Sequence, residues 1–151
     1  MLKLLKFACI FACCVALQSD SVCAVPDNRI LVGVPIEGFE LPIFGDDGDK
    51  TWEVSGTSAT MVESGIFHVK NATLRCFAGG CAPEESFRAS SDFAMVSSTC
   101  HTASGESEVK ITGKNFGAYA DTWEFFGDSK KIVAKGNVRV FLTESIAEIS
   151  P

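Results

Sequence analysis

The sequence predicts an all-β domain of antiparallel strands, and three observations carry that prediction. Apolar residues alternate with polar ones at a period of two along most of the chain, whereas the 3.6-residue period of an amphipathic helix is almost absent. Clusters of glycine, aspartate and serine separate the alternating runs, as turn residues do. One phrase also recurs: a short alternating run, a glycine or small residue, a polar stretch, and a second alternating run. It reads Val54-Ser55-Gly56, Ala59-Thr60-Met61 and Ile66 to Phe77; then Phe87-Arg88-Ala89 through Phe93-Ala94-Met95 to Val109; then Val109 to Gly113, Ala118 to Phe126 and Ile132 to Leu142. Repetition of this kind implies a serial architecture whose units cannot bury their apolar faces alone. A platform with a long apolar surface follows from it more readily than an enzyme with one pocket.

The elements follow in chain order. Leu41-Pro42-Ile43-Phe44 and Trp52 flank Asp46-Asp47-Gly48-Asp49, a hairpin signal. A calcium loop would need further spaced oxygen ligands and a distal glutamate, which are missing here. Trp52 and Val54 then alternate against Glu53 and Ser55. Between Ile66 and Phe77 the parity changes, with Phe67 and Val69 on one face and Leu74 and Cys76 on the other; a bulge near Asn71-Ala72 reconciles them. Phe87, Ala89, Phe93 and Met95 oppose Arg88, Ser90 and Asp92. Val109 and Ile111 oppose Glu108, Lys110 and Thr112, and Trp123 and Phe125 oppose Thr122 and Glu124. In the last run Ile132, Ala134, Gly136, Val138, Val140 and Leu142 share a face against Lys131, Val133, Lys135, Asn137, Arg139 and Phe141. One-sided alternation is the pattern of antiparallel strands that face water on one side. About eight to ten strands in one domain are expected.

The N-terminus reads as an export signal. Lys3 and Lys6 precede the apolar run Phe7 to Leu17, and Val22-Cys23-Ala24 offers small residues for cleavage. The run is shorter than the ~20 residues that span a bilayer, so a cleaved signal over 1–24 is preferred to a short membrane anchor. The mature chain, 25–151, then holds 127 residues with eleven basic and eighteen acidic side chains, a net charge of −7. With no basic cluster interleaved with aromatics, nucleic acid is not an expected partner. Four of the seven cysteines lie in the signal, leaving Cys76, Cys81 and Cys100. Cys76 and Cys81 bracket Phe77-Ala78-Gly79-Gly80 at a hairpin tip, and their proximity favours a disulfide between them; a clip or free thiols are both preferred to a metal site.

Chemistry-bearing patterns are scarce. The sequence holds no nucleophile elbow, phosphate loop, dinucleotide fingerprint or zinc-protease helix. Cys100 and His101 are adjacent, and neighbours along a strand point to opposite faces, which argues against a nucleophile and its base. Their spacing from the other cysteines fits no zinc template. Neither an enzyme nor a metal or cofactor site is expected, and His68, between Phe67 and Val69, reads as structural.

The residues nonetheless resemble a family. Ile111-Thr112-Gly113, Phe116-Gly117, the stretch around Trp123, and Ile132 through Gly136-Asn137-Val138-Arg139-Val140 are similar to the periplasmic lipopolysaccharide-export family, LptC/LptA or OstA-like. So are Phe39-Glu40-Leu41-Pro42-Ile43-Phe44, the Gly48 turn, and Trp52-Glu53-Val54-Ser55-Gly56 with Ala59; together they cover most of 36–142. The resemblance implies a twisted, partly open jellyroll over 25–151, a folded sheet with two apolar inner faces. It also implies a carrier of lipid acyl chains in the periplasm, or at the inner membrane, with no active site and no cofactor. The implied partners are lipopolysaccharide or a related lipid, other OstA-like domains paired edge to edge, and an inner-membrane ABC transporter that supplies the energy. The Cys76 to Glu85 insert and the loop near Cys100 depart from the family pattern, as does a cleavable N-terminus for an LptC-type member.

On this reading the lipid-facing inner surface comprises Trp52, Val54, Phe67, Val69, Phe93, Met95, Val109, Ile111, Trp123, Phe125, Val138 and Val140. Burial of an acyl chain there would gain about 0.8 kcal/mol per methylene, so no specific polar ligand is needed. The same residues would serve as plain core in the alternative, a structural or adhesive β-sandwich of the envelope that binds only protein. A third reading, a hydrolase using Cys100 and His101, predicts a reactive thiol.

Overall fold

The computed structural model describes residues 32–79 and 84–143. The expected leader 1–24 and Cys81 lie outside these residues, and so does the expected Cys76–Cys81 pairing. The described chain is all-β and antiparallel: β1 (Pro35–Phe44), β2 (Lys50–Glu63), β3 (Ile66–Ala78), β4 (Glu84–Ser97), β5 (Thr102–Gly105), β6 (Val109–Gly113), β7 (Phe116–Ala120), β8 (Thr122–Phe126), β9 (Lys131–Lys135) and β10 (Arg139–Leu142). They form a single ten-stranded sheet that does not close into a barrel. The β1–β2 turn is the predicted one, with the Gly45 N–H donating to Asp49 O at 2.9 Å and the Asp49 N–H to Asp47 Oδ1 at 3.1 Å.

A crease runs across this sheet. The inward residues of β4 are Phe87, Ala89 and Ser91 before Asp92, then Ala94 and Val96 after it. β3 switches in the same way, from Phe67 and Val69 to Ala72, Leu74 and Cys76, with Asn71 between them at φ 48°. β2 switches between Val54 and Ala59 at Gly56-Thr57, and β1 at Gly38, which has φ 64°. The pairing registers bring Gly38, Thr57, Asn71 and Asp92 level with one another. The parity change is therefore one line crossing every long strand, not an isolated bulge.

Beyond β4 the line continues as chain breaks. β5 and β6 are separated at Glu106–Glu108, β7 and β8 at Asp121, and β9 and β10 at Gly136–Val138. The sheet is thus a sequential meander folded in two. Half I contains the Trp52, Leu74 and Phe87 ends of β2, β3 and β4 with β6, β7 and β10; half II contains their other ends with β5, β8 and β9. In its first two copies the repeated phrase contains strands that reach the crease and cross it, β2 and β3 in the first and β4 in the second.

Polar side chains hold the crease. Asn71 Nδ2 donates to Thr57 Oγ1 at 3.0 Å, and Thr57 Oγ1 lies 3.3 Å from Lys70 O. The buried Ser91 hydroxyl sits 2.8 Å from Ser107 Oγ and 3.1 Å from Glu108 O, where β4 changes partner from β5 to β6. Asn137 Nδ2 donates to Asp121 Oδ2 at 2.7 Å. Such bonds satisfy backbone and side-chain groups that a broken ladder would otherwise leave unpaired.

The core lies between the halves. Trp52 of half I meets Phe125 of half II edge to face, with ring centroids 5.2 Å apart, and Phe87 meets the same ring at 6.0 Å. Phe39 of β1 packs on Phe67 at 5.2 Å. Aromatic pairs of this geometry contribute roughly 0.5–1.5 kcal/mol beyond their area.

Candidate functional site: the apolar lip at strand β10

Eight of the twelve expected inner-face residues are buried in that core: Trp52, Val54, Phe67, Val69, Val109, Ile111, Trp123 and Phe125. They pack in one continuous cluster with Phe39, Leu74, Cys76, Val96 and Ala103, so side chains fill the space between the halves there.

Phe93 and Met95 require a correction. Both are exposed, at 57% and 46%, because the crease at Asp92 reverses the parity of β4 and turns them to the outer face. There they line a shallow concavity with His68, Ser104, Gly105 and Glu106. Val138 and Val140 are exposed as well, at 47% and 63%. For Val140 the cause is different. It pairs with Ala118, a core residue, and so lies on the inward face. It is uncovered because β10 ends half I beyond the reach of the packed core.

The same holds for its neighbours. Leu142, 72% exposed, pairs with Phe116, 36% exposed, so Val140, Leu142 and Phe116 extend the inner apolar face into solvent. On the outer side of β10, Phe141 lies over Gly117 and 5.9 Å from Tyr119. Lys110, Tyr119 and Arg139 form one row across β6, β7 and β10, with Lys110 Nζ and Arg139 Cζ 6.0 and 5.8 Å from the Tyr119 ring. The sequence did signal this strand, since Leu142 belongs to the last alternating face. Alternation alone cannot show which inward residues lack a covering layer.

Free edges frame the domain. Among the described residues, β1 pairs only with β2, β9 only with β8 and β10 only with β7. Near the start of β1 the apolar residues Val32, Val34 and Ile36 are exposed, at 56%, 45% and 42%.

Elsewhere the polar side chains pair with one another. On the outer face of half I, Glu53 sits between Lys50 at 2.6 Å and Arg75 at 3.4 Å, and Glu85 bonds both Arg75 and Arg88. The hydrogen bonds from Arg88, and then from Arg75, hold the Glu85 carboxyl below the usual range. Burial pushes the Cys76 thiol up. His101, at φ 52°, places Nδ1 3.0 Å from Asp128 Oδ1, while its carbonyl accepts the Gly127 N–H at 2.8 Å. These bonds join the β4–β5 turn to the β8–β9 turn. His68 is exposed on the outer face of β3, between Thr60 and Met95.

Among the described residues no group of three or more His, Cys, Asp or Glu is placed to hold a metal, and no helix is long and apolar enough to cross a membrane. No family model and no curated protein matches the sequence.

Proposed function

We propose that this chain is an exported, OstA-like lipid-handling module that carries the acyl part of lipopolysaccharide or a related lipid in the periplasm. The observation that carries this reading is the uncovered inward row Phe116, Val140 and Leu142 at the open end of a creased sheet. An acyl chain laid along it would remove apolar surface from water on both sides, at about 0.8 kcal/mol per methylene. In this scheme the protein performs no chemistry, and a partner ATPase, as in the family it resembles, drives movement. The free edge of β1, ten residues long, would take a strand of a similar domain by backbone pairing.

The filled core favours a second reading, an envelope scaffold that binds only protein. Native mass spectrometry of the processed protein recovered from the cell envelope separates the two. Co-purifying acylated species, lost in Val140→Asp and Leu142→Asp but retained in Phe93→Asp on the outer face, are the expected result. A lipid-free protein that also takes up no added lipopolysaccharide overturns the carrier and leaves the scaffold.

A further inference from the structure

We infer that the β10 end of the domain docks on an anionic membrane surface. The strand is apolar on both faces at once: Val138, Val140 and Leu142 are exposed, and Phe141, on the opposite side, is 47% exposed. On that outer side the one charge of β10 is Arg139, at the start of the strand and beside Phe141. With Val140, Phe141 and Leu142 beyond Arg139, the strand matches an environment that is apolar in depth and polar at its rim.

The charge distribution selects that environment. From 32 to 108 the described residues hold twelve acidic and four basic side chains; from 109 to 143 they hold six basic and three acidic. Of these six, Arg139 lies on β10, Lys110 in its row and Lys135 just ahead of the strand, whereas Lys130 donates to Phe77 O and Lys131 sits at the β8–β9 turn of the other half. Lys110, Lys135 and Arg139, like Lys70, Lys130 and Lys131, make no ion pair among the described residues, so their charge is open to an anionic surface. Lys110 and Arg139 flank Tyr119 beside Phe141, and Lys135 lies just ahead of Val138. Apolar side chains entering the acyl boundary, with cations and a tyrosine at headgroup level, are the arrangement of an interfacial anchor. Each cation near an anionic surface strengthens binding about fivefold. Docking uses the same uncovered row as the proposed lipid carriage but needs no bound lipopolysaccharide, so vesicles free of it test the docking separately.

The test places a reporter on the strand. Trp52 and Trp123 are 1% and 4% exposed, so Leu142→Trp adds an indole whose surroundings differ from both. The processed protein carrying it is mixed with vesicles of phosphatidylcholine alone, or with about a third phosphatidylglycerol, in which the acyl chains are brominated and lipopolysaccharide is absent. Blue-shifted, bromine-quenched emission with the anionic vesicles only is the expected result. Lys110→Glu with Arg139→Glu, at unchanged circular dichroism, is expected to weaken it at least tenfold, as is raised salt. Emission that ignores the vesicles overturns the inference, even if the protein sediments with them through another segment. So does a blue shift that grows with protein concentration alone, which would assign the strand to a second copy. Val140→Trp repeats the measurement if the first variant fails to fold.

Discussion

Cys76 and Cys100 stand at opposite ends of thiol reactivity for reasons visible around each. Cys76 is 1% exposed on the inner face of β3, and burial raises its pKa because the thiolate cannot be solvated there. Cys100 is an exposed free thiol in the turn before β5. Iodoacetamide is expected to label Cys100 in the folded protein and Cys76 only after denaturation, without reductant. Labelling of Cys76 that requires reductant while Cys100 labels without it, with the bridged peptides identified by mapping, would establish the Cys76–Cys81 bridge instead. Glu85 is expected to give part of the acid limb of the stability curve. Its carboxyl is held low by Arg88 and Arg75, so the folded state favours its ionised form. That contribution is complete above the unfolded value of about 4.3 and is lost as pH falls through the lower folded value. Because Glu85 and its partners are partly solvated, Glu85→Gln is expected to cost less than about 1 kcal/mol at pH 7, and still less at pH 3, in urea melts. A cost that is equal at both pH values would remove the ion pairs as its cause.

At the scale of the strand, the crease decides which residues meet the core. Gly56 lies on it where β2 crosses β3, and a Cβ there would stand 2.6 Å from Lys70 O and 2.3 Å from Val69 Cγ1. The carbonyl is fixed by the ladder, so the backbone must shift. Gly56→Ala is expected to lose roughly 1–3 kcal/mol in denaturant, as overpacked sites do; an unchanged midpoint would show that the crease is not tightly packed. Part of this geometry was legible in sequence. The parity conflict between Val69 and Leu74 predicted the switch at Asn71, where the backbone takes a positive φ. The equivalent switch in β4 falls at Asp92, which carries no glycine and no parity conflict, because Phe93 and Met95 mimic an inward pair with the correct spacing. Only the register of β4 against β3 shows that the same line passes through it. β10 was obscured for another reason. Its alternation is genuine, and whether an inward residue is covered depends on the length of the opposite half rather than on the strand itself.

For the whole molecule, the crease makes two half-sheets out of continuous strands, and this couples them. β1 to β4 run through both halves, so neither can lose its backbone ladders without breaking strands of the other. The interior adds to the coupling, since Trp52 and Phe87 of half I close on the single ring of Phe125 in half II. The two tryptophans happen to report on different halves: Trp52 lies on the half I end of β2, and Trp123 on β8 in half II. Trp52→Phe and Trp123→Phe leave one reporter each. Their fluorescence transitions in urea, each compared with far-ultraviolet circular dichroism of the same variant, are expected to coincide within that variant, because one cooperative unit unfolds at once. A half that unfolds separately would show fluorescence departing from the backbone signal in one variant only. The outcome bears on how an acyl chain could be held. With one cooperative unit and a filled core, the halves do not part without unfolding, and a lipid is confined to the lip where Phe116, Val140 and Leu142 are already uncovered. Separate unfolding would mean that the halves can open while half the sheet stays intact, and the eight buried inner-face residues would then become accessible to a lipid as well.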